Sequence, residues 1–258
     1  ALSLAPKMAD SSEQVQAFLR DLAARARPFA EKDLADMRAF AKSELGLADP
    51  KAWDWPFISE RLKEARYAFS EAELKNYIPA PRVLNGLFKV VQTLFGVRIT
   101  PDQAPVWHPD VQFFRIDREG ETVGHFYLDT PARDGKRGGA WMDDVRGRWR
   151  RPDTGLLQTP VAHMVCNFGA EQNGRPALLT HDDVITLFHE FGHALHGLLS
   201  QVKYPRVSGT SVQRDFVEFP SQVNEMWILW PEVVENYARH FETGETLPQE
   251  WIDNLDAA

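Results

Sequence analysis

The chain has 258 residues, and 29 Lys and Arg against 37 Asp and Glu give it a formal net charge of −8. Hydrophobic residues make up 43% and charged residues 26%, a globular composition that argues against a disordered, collagenous or disulfide-rich chain. The acidic balance argues against nucleic-acid binding, and no apolar run reaches the roughly 18 residues of a membrane span. The single cysteine, Cys166, is typical of a reducing compartment, so we expect a cytoplasmic protein, with the periplasm as the alternative.

The first hundred residues have a helical pattern. Apolar residues recur at spacings of three and four, and capping or first-turn residues mark the helix starts. The predicted helices are Ser11–Glu44, Ile58–Phe69, Ser70–Tyr77 and Pro81–Phe95. Pro28 lies inside the first pattern and allows either a kink or two separate helices. Residues 1–100 are therefore predicted to form a helical region.

The middle of the chain changes to a strand pattern, and helices return after it. The predicted strands, which share β-branched and aromatic residues, are Val111–Ile116, Thr122–Leu128 and Pro160–Phe168. Helices are predicted from Thr180 to about Ser200 and from about Pro220 to Phe241. This order predicts an α+β fold that is mostly helical and contains a small β-sheet.

One motif points to chemistry. His189, Glu190 and His193 form the pattern H-E-x-x-H inside the helix that begins near Thr180. Residues four apart lie one turn apart on one helix face, so the two imidazoles can be directed at one metal ion. Zinc suits them, because a catalytic zinc takes three protein ligands and keeps one position open. Glu190 could take a proton from metal-bound water, whereas the alternative is a helix with two surface histidines.

A third ligand is expected from outside this helix, and Glu218 is the best local candidate. It precedes Pro220, which can open the last predicted helix, and Pro205 and Gly209 let the intervening chain turn back. Glu225 lies two turns further on and could hydrogen-bond a ligand imidazole. The alternative for Glu218 is a solvated carboxylate favoured by the helix dipole.

Three other features are less informative. His196 follows the second histidine by three residues, and we expect it either to support a metal ligand or to lie on the helix surface. Asp215 either orients a ligand histidine or caps the last helix. Four arginines surround Trp149 in the segment 146–151, and in a net-acidic chain we interpret them as a solvated loop rather than a nucleic-acid contact.

Several segments together resemble a known family. Phe188–His196 and Arg214–Gln222 closely resemble the thimet oligopeptidase family of zinc metallopeptidases, and within it most closely the bacterial peptidyl-dipeptidases (dipeptidyl carboxypeptidases). Lys136–Met142 and Val165–Phe168 are similar as well. The resemblance covers most of the chain from about Leu84 onward, and two separated motifs agree at the family's spacing.

The resemblance implies a zincin-like catalytic region over residues 101–258. It implies one Zn²⁺ per chain, held by His189, His193 and Glu218, with Glu190 as the catalytic glutamate. In zinc peptidases an extended peptide commonly pairs with an exposed strand, so Pro160–Phe168 is a candidate for that edge; an ordinary half-buried strand fits it equally well.

The function implied is zinc-dependent hydrolysis of short peptides, with release of C-terminal dipeptides and with no nucleic-acid or membrane partner. The alternatives are an endo-acting oligopeptidase of the same family and a non-catalytic zinc-bearing fragment. Family members are longer on both sides of this region. We therefore expect a central fragment, with other parts of the same enzyme missing from this chain, including the C-terminal segment whose His and Tyr groups contact substrate.

Overall fold

The computed structural model describes residues 7–67 and 70–255. The chain divides into two compact units, one formed by Ala1–Glu71 with Gln249–Ala258 and the other by Ala72–Pro248. The division predicted between residues 100 and 101 falls inside the second of these units. Within the described ranges, no helix is both long and apolar enough to cross a membrane.

The helices and strands occur in separate runs along the chain, four helices, then seven strands, then four helices, which is typical of an α+β fold. The helices are α1 (Ser12–Ser43), α2 (Trp55–Tyr67), α3 (Glu71–Lys75), α4 (Ala80–Phe95), α5 (His181–Leu199), α6 (Phe219–Glu225), α7 (Pro231–Tyr237) and α8 (Gln249–Leu255). The strands are β1 (Arg98–Pro101), β2 (Gln112–Arg118), β3 (Glu121–Pro131), β4 (Trp141–Arg146), β5 (Trp149–Arg150), β6 (Leu157–Gln158) and β7 (Val161–Phe168).

The first unit contains one long helix where the sequence allowed two. Helix α1 is continuous through Pro28, and the Ser11 side chain caps it by accepting a hydrogen bond from the Gln14 backbone N–H at 3.1 Å. The apolar residues that predicted the helix lie mostly in solvent, since Phe18 and Leu22 are more than half exposed. Helix α2 begins three residues earlier than predicted, and the predicted end at Phe69 lies outside the described residues.

The second unit is built on a five-stranded sheet with the order β1-β2-β3-β7-β4. Strands β3 and β7 are parallel, and the other neighbours are antiparallel. Glu119 and Gly120 connect β2 to β3 with φ values of 52° and 85°. Positive φ at both central residues is the mark of a type I′ turn, whose twist matches that of the two strands it joins.

The predicted edge strand is an interior strand. Strand β7 pairs with β3 on one side and with β4 on the other, so the interpretation of Pro160–Phe168 as the free edge is wrong. The terminal strand next to β7 is β4, which the sequence pattern does not predict. Its two adjacent aspartates, Asp143 and Asp144, interrupt the apolar alternation by which a strand is recognised.

Aromatic packing fixes helix α5 on this sheet. The ring of Phe126 on β3 lies edge-on to that of Phe191 on α5, with centroids 5.3 Å apart, and Phe88 on α4 contacts both rings. Phe126 and Phe191 are fully buried. Each buried aromatic side chain stabilises the fold by about 1.5–3 kcal/mol, so α5 has a fixed position against the sheet.

The last predicted helix, Pro220–Phe241, is not continuous. It is divided into α6, a 3-10 turn over Met226–Leu229 and α7, which begins at Pro231. Proline lacks the backbone N–H that an interior helical position needs and clashes with the preceding turn. The prediction of one long helix is therefore wrong, although a helix does begin beside Pro220.

A buried ion cluster fixes the loop between β3 and β4. Asp129, which is 2% exposed, accepts hydrogen bonds from Arg133 at 2.6 and 2.8 Å, from Lys136 at 2.9 Å and from Trp107 at 3.2 Å. Lys136 also donates to the backbone carbonyls of Asp129 and Pro131. Burial alone would raise the pKa of Asp129, but the hydrogen bonds from Arg133 and Lys136 outweigh it and lower the pKa below the usual 3.8.

We expect Asp129→Asn to lower the free energy of unfolding of the second unit by about 3 kcal/mol at pH 7, because it leaves buried Lys136 without a counter-charge. The folded-state pKa of Asp129 is depressed, so its contribution is present above its ordinary pKa and lost as pH falls. The difference between the wild type and the variant should therefore shrink below about pH 4. Urea unfolding at pH 7 and at pH 3 measures both effects.

The matched control is Asp153→Asn, which removes an exposed carboxylate from its pair with Arg151 and should cost less than about 1 kcal/mol. Equal losses from the two variants, or a loss from Asp129→Asn that does not change with pH, would contradict this account of the cluster.

Candidate metal centre

Helix α5 begins at His181, directly after Thr180, the predicted start, which is its N-cap. The Thr180 hydroxyl accepts from the Asp183 N–H at 2.9 Å, and the Asp183 carboxylate accepts from the Thr180 N–H at 2.9 Å. This reciprocal capping box satisfies two N–H groups that the first turn would otherwise leave unpaired. Because the helix start is fixed, the direction of each side chain along α5 is fixed as well.

Two imidazoles and one carboxylate converge beside α5. The rings of His189 and His193 have centroids 4.8 Å apart. Glu218 immediately precedes α6, and its Oε2 lies 3.2 Å from His189 Nε2 and 3.0 Å from His193 Nε2. The ligand atoms of the three residues all lie within 4.8 Å of one another. Among the described residues, no other set of three or more His, Cys, Asp or Glu gathers in this way.

The chemistry of this donor set fits zinc. Two imidazole nitrogens and a carboxylate oxygen are ligands that Zn²⁺ takes in catalytic sites, with one position left for water or substrate. The side chain of His193 is 12% exposed, whereas that of Glu218 is 52% exposed. The site therefore has a buried side formed by α5 and an open side, and a substrate needs such an opening.

Glu225 lies behind the first histidine. Its Oε1 is 2.5 Å from His189 Nδ1, so the imidazole donates its Nδ1 proton to this carboxylate. That hydrogen bond fixes the tautomer and leaves the Nε2 lone pair free on the side of the ring that faces Glu218 and His193, where a metal ion would bind. The structure thus shows the hydrogen bond between Glu225 and a histidine side chain that the sequence predicts.

Glu190 has a different environment from Glu218. It is buried beside the two histidines, at 8% exposure. Burial raises its pKa, the negative charge of Glu218 acts in the same direction, and His189 opposes both. A carboxyl group whose pKa is moved toward neutrality is suited to accepting and releasing a proton.

Two buried polar residues on α6 support the site and were missed in the sequence. The Ser221 hydroxyl donates to the backbone carbonyl of Glu218 at 2.9 Å and to its carboxylate at 3.1 Å. Asn224 donates to the backbone carbonyl of Phe188 on α5 at 2.6 Å. Both residues are small and polar, and no spacing rule distinguishes them from ordinary surface residues.

The remaining candidates lie outside the three-residue cluster. Asp215 is exposed before α6, and the N-cap position of that helix belongs to Glu218. His196 lines an apolar cavity between α5 and α6, and its Nδ1 is buried without a hydrogen-bond partner. Cys166 is buried beneath α5, and desolvation raises the pKa of its thiol to about 12, which argues against a reactive thiolate.

Known proteins share this sequence over its whole length. The profile of Peptidase family M3 matches residues 1–258. Oligopeptidase A of Escherichia coli (strain K12) is 50% identical over 259 residues, which cover 99% of this chain and 38% of that protein. The dipeptidyl carboxypeptidase of the same strain is 42% identical over 253 residues, which cover 97% of this chain and 37% of that protein.

A plant protein extends the similarity beyond bacteria. The chloroplastic and mitochondrial organellar oligopeptidase A of Arabidopsis thaliana is 41% identical over 267 residues and 34% of its own length. The chain thus spans little more than a third of the length of the curated relatives it matches. Since the profile match extends from the first residue to the last, the chain belongs to Peptidase family M3.

Proposed function

We propose that the chain carries the zinc site of a metallopeptidase that hydrolyses short peptides, in a zincin-like catalytic region. The observation that carries the proposal is the convergence of His189, His193 and Glu218 beside buried Glu190. The relatives named above are all peptidases, which supports the same class of reaction. The proposed function involves no nucleic-acid partner and no membrane partner.

In this proposal each residue has a defined role. His189, His193 and Glu218 would hold one Zn²⁺, which when bound lowers the pKa of a coordinated water and polarises the scissile carbonyl. Glu190 accepts a proton from the attacking water and passes it to the leaving amine. Glu225 keeps the His189 ring in one orientation through the Nδ1 hydrogen bond.

The terminal strand β4 is the proposed binding edge for the peptide backbone. A Cβ atom placed on Gly197 of α5 would lie 3.2 Å from Asp144 Oδ1, so β4 runs directly beside the helix that carries the histidines. An extended peptide could add to this edge as a further strand. This replaces Pro160–Phe168, which lies inside the sheet, as the candidate edge.

We propose release of C-terminal dipeptides, as the sequence resemblance implies, and endo-acting cleavage is a second candidate. Sequence identity favours endo-acting cleavage, since the chain is 50% identical to oligopeptidase A and 42% identical to dipeptidyl carboxypeptidase. The two differ in their need for a free substrate carboxylate. A pair of peptides with a free and an amidated C-terminus separates them, because only the dipeptide-releasing activity should be lost on amidation.

The direct test of the catalytic role is Glu190→Gln. We expect hydrolysis of an internally quenched peptide to fall by at least about 100-fold, because the proton acceptor is lost. Zinc content, measured by mass spectrometry of the dialysed chain, should remain near one ion per chain. Exposed Glu235→Gln on α7 is the control and should leave both quantities unchanged.

The outcomes separate the alternatives. Loss of zinc together with activity in Glu190→Gln would mean that Glu190 is structural. Wild-type chain that binds zinc without hydrolysing any peptide would support the non-catalytic fragment. Wild-type chain that binds no zinc would contradict the metal site itself.

The position of Glu218 depends on a close approach between two helices. A Cβ atom placed on Gly192 would lie 2.5 Å from the Cα of Ser221 and 2.9 Å from the carbonyl oxygen of Pro220. Real Cβ atoms do not come so close to backbone, so any larger residue at 192 displaces α6. Since Glu218 directly precedes α6, the same displacement moves its carboxylate away from the histidines.

We therefore expect Gly192→Ala to weaken zinc binding by roughly 10- to 100-fold, the range found when groups that orient metal ligands are lost. Competition with a chromogenic chelator measures the affinity. Gly138→Ala is the control, because a Cβ there meets no atom within 4 Å.

Ser221→Ala separates orientation of the ligand from packing. It keeps the Cβ but removes the hydroxyl that contacts the Glu218 carboxylate, so zinc affinity should fall while the melting temperature of the metal-free chain changes little. A Gly192→Ala chain that melts earlier yet binds zinc as tightly as the wild type would contradict the positioning role.

A further inference from the structure

A small hairpin extends the edge of the sheet next to the candidate site. Strand β4 ends at Arg146, and after two residues the chain forms the pair β5–β6 before it enters β7. Since β4 and β7 are themselves paired, the segment 146–159 prolongs that pair beyond the sheet. An extended peptide lying along β4 would continue toward this hairpin.

The hairpin has a positive net charge, whereas the chain as a whole has a negative net charge. Residues 146–159 contain four arginines and one aspartate, so the local charge is 4 − 1 = +3, against −8 for the whole chain. The arginines are Arg146, Arg148, Arg150 and Arg151. Only Arg151 has a carboxylate partner, Asp153 at 3.7 Å; among the described residues no carboxylate oxygen lies within 4.0 Å of the other three.

Two of these arginines are held in place without being neutralised. Arg146 donates to the Thr159 carbonyl at 3.0 Å, and Arg150 donates to the Gly155 carbonyl at 2.9 Å. Trp149 is 40% exposed, and the Arg151 guanidinium lies 5.6 Å from the centre of its ring. Backbone hydrogen bonds reduce the side-chain entropy lost on binding, so the guanidinium groups are partly preorganised for anionic partners.

The hairpin lies within reach of a peptide bound at the candidate site. Gly197 follows His193 by one helical turn and is the residue that approaches Asp144 on β4. Arg146 is two residues beyond Asp144, which is about 7 Å along an extended strand. A peptide that pairs antiparallel with β4 runs in the opposite direction, so the part N-terminal to its scissile bond reaches the hairpin.

We infer that the hairpin 146–159 binds acidic side chains in the N-terminal part of peptide substrates. The inference rests on the proposed peptidase function and adds the substrate class: peptides with Asp or Glu several residues before the cleaved bond. Guanidinium groups bind carboxylates in a planar, bidentate geometry. The acidic charge of the rest of the chain would repel such a peptide elsewhere and favour this position.

Binding without turnover tests this inference separately from catalysis. The probes are two fluorescein-labelled decapeptides, one with four Glu in its N-terminal half and one with Gln at the same positions. Fluorescence anisotropy is measured with zinc-supplemented Glu190→Gln chain at low salt. We expect the Glu peptide to bind roughly tenfold more tightly, since three exposed ion pairs together contribute about that factor.

The matched variants decide whether the hairpin is responsible. The Glu preference should fall to roughly twofold in Arg148→Gln/Arg150→Gln, which retains one of the three ion pairs, and should disappear at high salt. It should persist in Arg82→Gln/Arg98→Gln. This control removes one exposed charge from α4 and one from β1, which is the terminal strand at the opposite end of the sheet from β4.

Several results would overturn the inference. The first two are equal binding of the Glu and Gln peptides and equal losses of the Glu preference in both double variants. The other two are tighter binding, relative to the peptide with Glu in its N-terminal half, of a peptide with Glu in its C-terminal half or of a single-stranded DNA oligonucleotide. Zinc content and hydrolysis by the wild-type chain are recorded separately. Failure of the peptidase proposal would appear in those two measurements and not in the anisotropy.

Discussion

The close approach of α6 to α5 at Gly192 is the constraint on which the site depends. A helix with two histidines one turn apart supplies only two donors, and the third has to arrive from a separate element. The absent side chain at Gly192 lets the backbone of Pro220 and Ser221 lie against α5, and Glu218 is thereby placed over both imidazoles. Hydrogen bonds from Ser221 to Glu218 and from Asn224 to α5 fix this arrangement.

Packing against the sheet holds the pair of helices α5 and α6 in position. Aromatic rings from β3 and α4 hold α5 from below, and the terminal strand β4 flanks it at Gly197. The loop that leads into β4 is in turn held by the buried charges around Asp129. The same burial that stabilises α5 raises the pKa of Glu190, so packing and the proposed chemistry have one physical origin.

Sequence reasoning succeeded where the information is local. The predicted helix start at Thr180 is the N-cap of α5, and the four-residue spacing places the two histidines on one face. The sequence also predicts Glu218 as the third ligand, because the nearby proline marks a helix start. It predicts Glu225 as a partner of a ligand imidazole, because helical spacing puts it on the same face as Glu218. The structure places both against His189, as such contacts require.

The features that escaped prediction are those decided by tertiary contacts. Strand β4 carries two aspartates and owes its place to pairing with β7, and the long helix expected after Pro220 is interrupted at Pro231. Nothing in the motif H-E-x-x-H indicates that its fourth residue, Gly192, has to be small. Only the second helix, once in position, reveals that requirement.

In the proposed site, zinc is bound by two imidazoles and one carboxylate and by no sulfur. X-ray absorption spectroscopy of the zinc-loaded chain tests it most directly. We expect a first shell of nitrogen and oxygen at about 2.0–2.1 Å with the multiple-scattering signature of two imidazoles. A shell near 2.3 Å would indicate ligation by Cys166, a third imidazole would indicate His196, and either result would contradict the account.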